Sequence, residues 1–256
     1  MLLLILGTYP LYNGPLFDAS VDHVIPKVQS RQAGAEDRHG WTFFSSASIF
    51  SLENGSIVFI LANQKDRAAA FYFVIAYVFQ VFLVGYLQLI YHRPAPFWVS
   101  HDIKVFNCKP SYASPASATE LSLAVVLTLW ITLATPKDSS CKPVAKFVTL
   151  FLGCLVATLC TFGHIYNGDM SIDQGILAAL LALWSAVFTH LFVRAPLMRH
   201  VKDLHQGKTL MPDLPLTRFF AVLAVICITL LGIAAVIYYA IVNKVEDDPE
   251  WQTNVM

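Results

Sequence analysis

The sequence predicts an all-α, polytopic membrane protein: a six-helix bundle with five firm spans and a broken first one. Three observations predict it. Of 256 residues, 56% are hydrophobic and 13% charged, against roughly 25% charged in a soluble domain. Mean hydropathy is +0.59. The apolar residues are also gathered into runs near the length of about 20 that carries a helix across a hydrocarbon core. Formal charge balances at 17 basic and 17 acidic residues. No basic stripe with interleaved aromatics is present, which argues against a nucleic-acid partner.

Residues 1–40 read as an N-terminal extramembrane segment. Leu2–Leu6 is a short apolar tip, and Gly7, Pro10, Asn13, Gly14 and Pro15 are expected to break regular structure after it. From Leu16 to Gln32, residues Leu16, Phe17, Val21, Val24 and Val28 recur at helical spacing. They predict an amphipathic helix, lying either on the membrane or on its own bundle. The opening MLLLILG has no basic residue before it and is short for a signal core, so any targeting information is expected to be internal.

Residues 41–243 form the expected bundle. Trp41–Asn63 is the broken span, interrupted at Glu53, Asn54 and Gly55. Arg67–Tyr91 is a long apolar run. The next spans are Ala116–Thr135, Val144–Thr161, Ile172–Val193 and Leu216–Val242, with Pro136, Pro143, Pro196, Pro212 and Pro215 marking the connections. The last is long enough to require tilt. Residues 244–256 make an acidic, polar tail. Six spans put the loops 92–115 and 162–171 on one side of the membrane. The opposite loops hold most of the basic residues, Lys65, Arg67, Lys137, Lys142 and Arg194 among them, and are expected to face the cytosol or matrix.

Cys154, Cys160 and Cys227 lie in apolar runs and read as small core residues, while Cys108 and Cys141 fall in loops expected on opposite sides. No CxxC and no Cys/His spacing of a zinc site occurs, so neither a metal nor another cofactor is expected.

Two stretches carry the clustered polar residues: HRPAPFWVSHDIKVFNCKPSYASPASA at 92–118 and GHIYNGDMSIDQ at 163–174. Arg93, His101, Lys104, Lys109 and His164 suggest an anion site; the plainer reading is that interfacial loop residues are simply solvated.

Arg93-Pro94, Pro96-Phe97-Trp98, Ile103, Cys108, Tyr112 and Pro115, followed by Gly163 through Gln174, resemble the motif region of the type-2 phosphatidic-acid phosphatase superfamily, over roughly residues 41–195. The resemblance implies a six-helix membrane bundle with all motifs on one face. It also implies which positions would do the chemistry. The nucleophilic histidine falls on Met170, the acid that protonates the leaving group on Ala118, and the phosphate-holding lysine and second arginine on Tyr86 and His164. The motif serines fall on Ala116 and Gly163, and of the charged set only Arg93 remains. A thioether cannot form a phosphoenzyme that water then hydrolyses, and an alanine has no proton to give. No catalytic residue is therefore expected. Asp173 falls where the family supports its nucleophile, and here has none to orient.

Three functions follow as expectations. The leading one is an inactive, phosphatase-like accessory subunit of a larger membrane complex, in the mitochondrial inner membrane or, alternatively, an endomembrane. The second binds or moves anionic membrane lipids through Arg93, Lys104, Lys109 and His164. The third is a lipid phosphatase with a rearranged site, in which His164 attacks with Asp169 or Asp173 as partner. Against it, His164 is expected to cap a helix end or pack under the loop. Arg93 is expected to pair with Asp169, Asp173 or loop carbonyls, and Glu120 to sit at the interface.

Overall fold

The computed structural model describes residues 1–31, 41, 44, 67–91, 93–100, 102–104, 113–134 and 143–205, and the single positions 230, 232, 233 and 237. Their secondary structure is helical, with no strand among them. The broken first span apart from Trp41 and Phe44, most of the sixth span, and the tail lie outside the described residues. So do His101, Cys108, Lys109, Tyr112 and Cys141.

Helix α1 runs over Leu2–Ala19 and α2 over Ile25–Arg31, joined by a π turn, Ser20–Val24. This corrects the expectation of a broken N-terminus: Gly7, Pro10, Gly14 and Pro15 all lie inside one helix. It packs on its own bundle. Phe17, Val21 and Ile25 share a core with Ala95, Phe97, Ile103 and Ala113, and Ile5 and Tyr9 pack with Leu87, Leu177 and Leu181.

Helix α3 covers Arg67–Tyr91, and the short α4 Pro96–Val99. Helix α5 is Ser117–Ala134, α6 Pro143–Tyr166 and α7 Ile172–Phe188. A second π turn, Thr189–Arg194, leads into α8, Ala195–His205. The fifth predicted span therefore does not end at Val193, because helix continues through Pro196. Each π turn ends two residues before a proline, Pro26 and Pro196. A proline ring inside a regular helix clashes with the carbonyl four residues earlier. Those carbonyls belong to Asp22 and Phe192, each within a widened turn.

Helix α5 is the centre of the packing, against α3, α6 and α7, while α1 lies along α7. Its approach to α6 depends on Gly153: a Cβ there would fall 2.5 Å from Val126 Cγ1. At the far end α8 returns against α3, where Leu197 packs on Tyr72 and Ala76 and the Arg194 guanidinium stands 6.0 Å over the Tyr72 ring. Cys154 and Cys160, both on α6, are not in a disulfide.

Two helical stretches, Tyr72–Val99 and Ile172–Arg199, are long and apolar enough to cross a membrane. Ser117–Ile131 and Leu150–Tyr166 are shorter apolar helices.

Candidate functional site

The stretch after α3 and the α6–α7 turn meet at one end of the bundle. The Phe97 backbone N–H donates to the Gly168 carbonyl at 3.3 Å, and the Ala113 N–H to the Arg93 carbonyl at 3.1 Å. Gln174, fully buried in the first turn of α7, fastens the two together. Its Oε1 accepts from the Ser171 N–H at 3.0 Å, closing a capping box, and its Nε2 donates to the Pro94 carbonyl at 3.2 Å. Gly168 makes the turn possible. Its φ of +74° is left-handed, and a Cβ would land 2.5 Å from Ile103 Cγ2.

Between these stretches lies a cavity of ≈ 40 Å³. Its wall includes Gln88 of α3, Ala95, Phe97, Ala113, Ala116, Ser117, Ala118, His164, Asp169 and Met170. Four of the singled-out positions, Ala116, Ala118, His164 and Met170, thus come together. Met170 is buried against Thr119, whose hydroxyl donates to its sulfur at 3.6 Å, and its methyl sits close over Gly175, where a Cβ would be 2.8 Å away. Tyr86 is half-buried on α3, and Gly163 is buried in α6; neither belongs to the wall.

His164 lies in the last turn of α6. Its Nδ1 is 3.0 Å from Asp169 Oδ2, with both side chains buried. The five-residue step from His164 to Asp169 closes a turn whose backbone bond runs from the Asp169 N–H to the His164 carbonyl, 3.0 Å. Asp169 Oδ1 is buried without a partner. For Arg93 this corrects the expected pairing with Asp169 or Asp173; the loop carbonyls of 105–112 lie outside the described residues. The Arg93 side chain is exposed and outside the cavity wall, and the ion pair found among the described residues is His164–Asp169. Lys104 is exposed too, held by its backbone to Gln29 of α2, and it does not reach the wall. Of the four proposed anion-binding residues, His164 alone lines the cavity among those described, and a carboxylate already occupies it.

Asp173 has another task. Its Oδ2 accepts from the Tyr9 hydroxyl at 3.1 Å and its Oδ1 from the Ser171 hydroxyl, while Tyr9 Oη and Ser114 Oγ are 2.8 Å apart. Burial, more than the nearby carboxylate, pushes the Tyr9 phenol well above the ordinary tyrosine range, so it remains a hydrogen-bond donor. Gln29 completes the seal: its Oε1 accepts from the Lys104 N–H at 3.0 Å, and its Nε2 donates to the carbonyls of Lys104 and Tyr166 at 3.0 and 2.7 Å. The N-terminal helices thus close over the loops. Sequence reasoning missed this role of Tyr9, of Gln29 and of Ser20, whose Oγ accepts from the Ile172 N–H at 3.2 Å, and the tie made by Gln174, although Ser171-x-x-Gln174 is a readable capping signal.

Glu120 lies in the first turn of α5. It is fully buried in α5, and neither carboxylate oxygen has a hydrogen-bond partner.

No family model, curated protein or solved structure matches this chain.

Proposed function

We propose that this chain is a catalytically inactive, phosphatase-like, multi-pass membrane protein of six spans, acting as an accessory subunit of a larger membrane assembly. One observation carries the reading. Where the resemblance would gather a nucleophile, an acid and cationic groups, Met170, Ala116 and Ala118 line a cavity of ≈ 40 Å³, and Arg93 and Lys104 stand outside it. That volume holds a few waters and is several-fold below the roughly 300 Å³ at which ligand pockets begin. Loss of the nucleophile or of one charge-stabilising group commonly costs about 100-fold or more in rate. Losing them together leaves no phosphatase.

The surface supports several spans. On α6, Val144, Phe147, Phe151, Leu155 and Phe162 are exposed along one side, as are Val74, Val78, Val81 and Ile90 on α3. Polar Gln80, Thr128, Ser185 and Thr189 are buried inside. Apolar stripes outside and polar groups inside suit lipid as the surrounding solvent.

A second reading has one favourable observation. The buried His164–Asp169 pair faces the cavity, and a carboxylate-oriented imidazole is the unit from which general bases and nucleophiles are built. One experiment separates the two. The purified full chain is assayed on phosphatidic acid and on a soluble phosphomonoester, beside His164→Ala. We expect no turnover from either; turnover by the wild type that disappears in the variant would establish the second reading. Native mass measurement in mild detergent tests the subunit role, and a monomer alone would count against it. Fractionation against inner-mitochondrial and endomembrane markers tests the location.

A further inference from the structure

Glu120 lies in the first turn of α5, at 0% exposure, with both oxygens unpartnered among the described residues. A carboxyl group without partners in an apolar interior is costly whether charged or neutral, and an ionisable residue inside a membrane bundle usually marks a functional position.

Its neighbours along α5 show what lies close to it. Side chains four residues apart share a helix face. Ala116, one turn before Glu120, lines the cavity under the loops, and Ala124 and Thr128, one and two turns after it, line a second cavity of ≈ 10 Å³. Helix α3 repeats the arrangement: Gln88 lines the first cavity and Gln80 the second. Gln80 Oε1 accepts from the Ser185 hydroxyl at 2.7 Å, and its Nε2 is buried with no partner. Glu120 itself lines neither space: it lies one helical turn from the cavity under the loops, whose wall carries Gln88, Ser117, His164 and Asp169, and one turn from the smaller, largely apolar one. The first is of a size that admits about one water or more.

We propose that Glu120 is a proton-exchanging carboxyl in the interior of the bundle, reached from the polar cavity one turn away along α5, whose wall Ala116 shares. A proton released by its O–H passes to water in the cavity under the loops, where His164 and Asp169 line the wall; the reverse transfer restores the acid. The other titratable side chains described on the packed helices are Tyr72, Tyr77, Tyr86 and Tyr91 on α3, Cys154, Cys160, His164 and Tyr166 on α6, and Asp173 on α7. None forms an ion pair with Glu120. The inference concerns a site that the inactive-phosphatase reading does not use, and it stands whether or not the chain turns over a phosphate ester.

Infrared spectra of the full chain in detergent, wild type minus Glu120→Gln, test it in light and heavy water. The expected result is a protonated-carboxyl band missing from the variant. It shifts promptly on transfer to heavy water and fades as pH is raised. An absent band, or one that remains unshifted in heavy water, would overturn the proposal. Should Glu120→Gln fail to fold, the wild type is treated with dicyclohexylcarbodiimide, which adds to protonated carboxyls, and its peptides are weighed. Modification at Glu120 that declines with rising pH supports the proposal; modification that is absent or independent of pH sinks it.

Discussion

At His164 the cost of a substitution depends on what it leaves behind. Asp169→Ala strands a buried imidazole, and losing one member of a hydrogen-bonded buried pair costs about 1–3 kcal/mol. Asp169→Asn keeps an oxygen acceptor opposite Nδ1 and should cost less. Denaturant unfolding of the two variants in detergent checks the order, and equal losses would mean that the pair at 3.0 Å contributes nothing through its carboxylate. Gly168→Ala should be costly for a different reason. The residue has φ +74°, and its new methyl would meet Ile103 at 2.5 Å. We expect about 1–2 kcal/mol, together with faster hydrogen exchange in the α6–α7 turn. These residues also mark the limit of sequence reading. His164, Met170, Ala116 and Ala118 were identifiable from their positions in two motif-like stretches. The partner of Asp169 was not, because Arg93 and His164 are both plausible in charge and the choice depends on which side chain the turn directs inward.

Among elements, α1 and α2 and the α5–α6 pair make the sharpest cases. Gln29→Ala removes three hydrogen bonds joining α2 to the backbone at Lys104 and Tyr166. The expected outcome is increased protease cleavage and hydrogen exchange within residues 1–31, while the core of α5 and α7 remains protected. If α2 remains as protected as in the wild type, apolar packing through Val21 and Ile25 holds it instead. Gly153→Leu would force α6 away from Val126, where even a Cβ comes within 2.5 Å. Close helix approach in membranes relies on small residues, and overpacking of this kind costs about 1–3 kcal/mol, readable as a lowered unfolding midpoint. The helical runs of α3, α5, α6 and α7 were legible because length and apolarity are local properties. The continuity of α1 through Pro10 and Pro15, and of the α7–α8 stretch through Pro196, was not. Local propensity counts proline as a breaker, whereas tertiary packing of Tyr9 and Leu197 and the widened turns before Pro26 and Pro196 offset its effect.

For the molecule as a whole, the distribution of apolar side chains supplies the test of the multi-pass proposal. A lipid-soluble photoreactive probe in reconstituted vesicles should label Phe147, Phe151 and Leu155 on the exposed side of α6 and spare Ala157 and Cys160, which are buried. Labelling without regard to that pattern would remove lipid as the covering phase. By itself, the sequence determined that the chain is helical, where its apolar runs lie, and that its clustered polar residues fall in two stretches distant from one another. These are matters of composition and spacing, and each is written in a contiguous window. Only the tertiary structure decided that the two stretches close on one small cavity, that Asp169 takes His164 rather than Arg93, that the N-terminal helices seal the loops, and that Glu120 is left inside without a partner. Each of those depends on which faces of distant helices are pressed together. Burial and hydrogen-bond pairing are properties of that packing, and a linear pattern does not carry them.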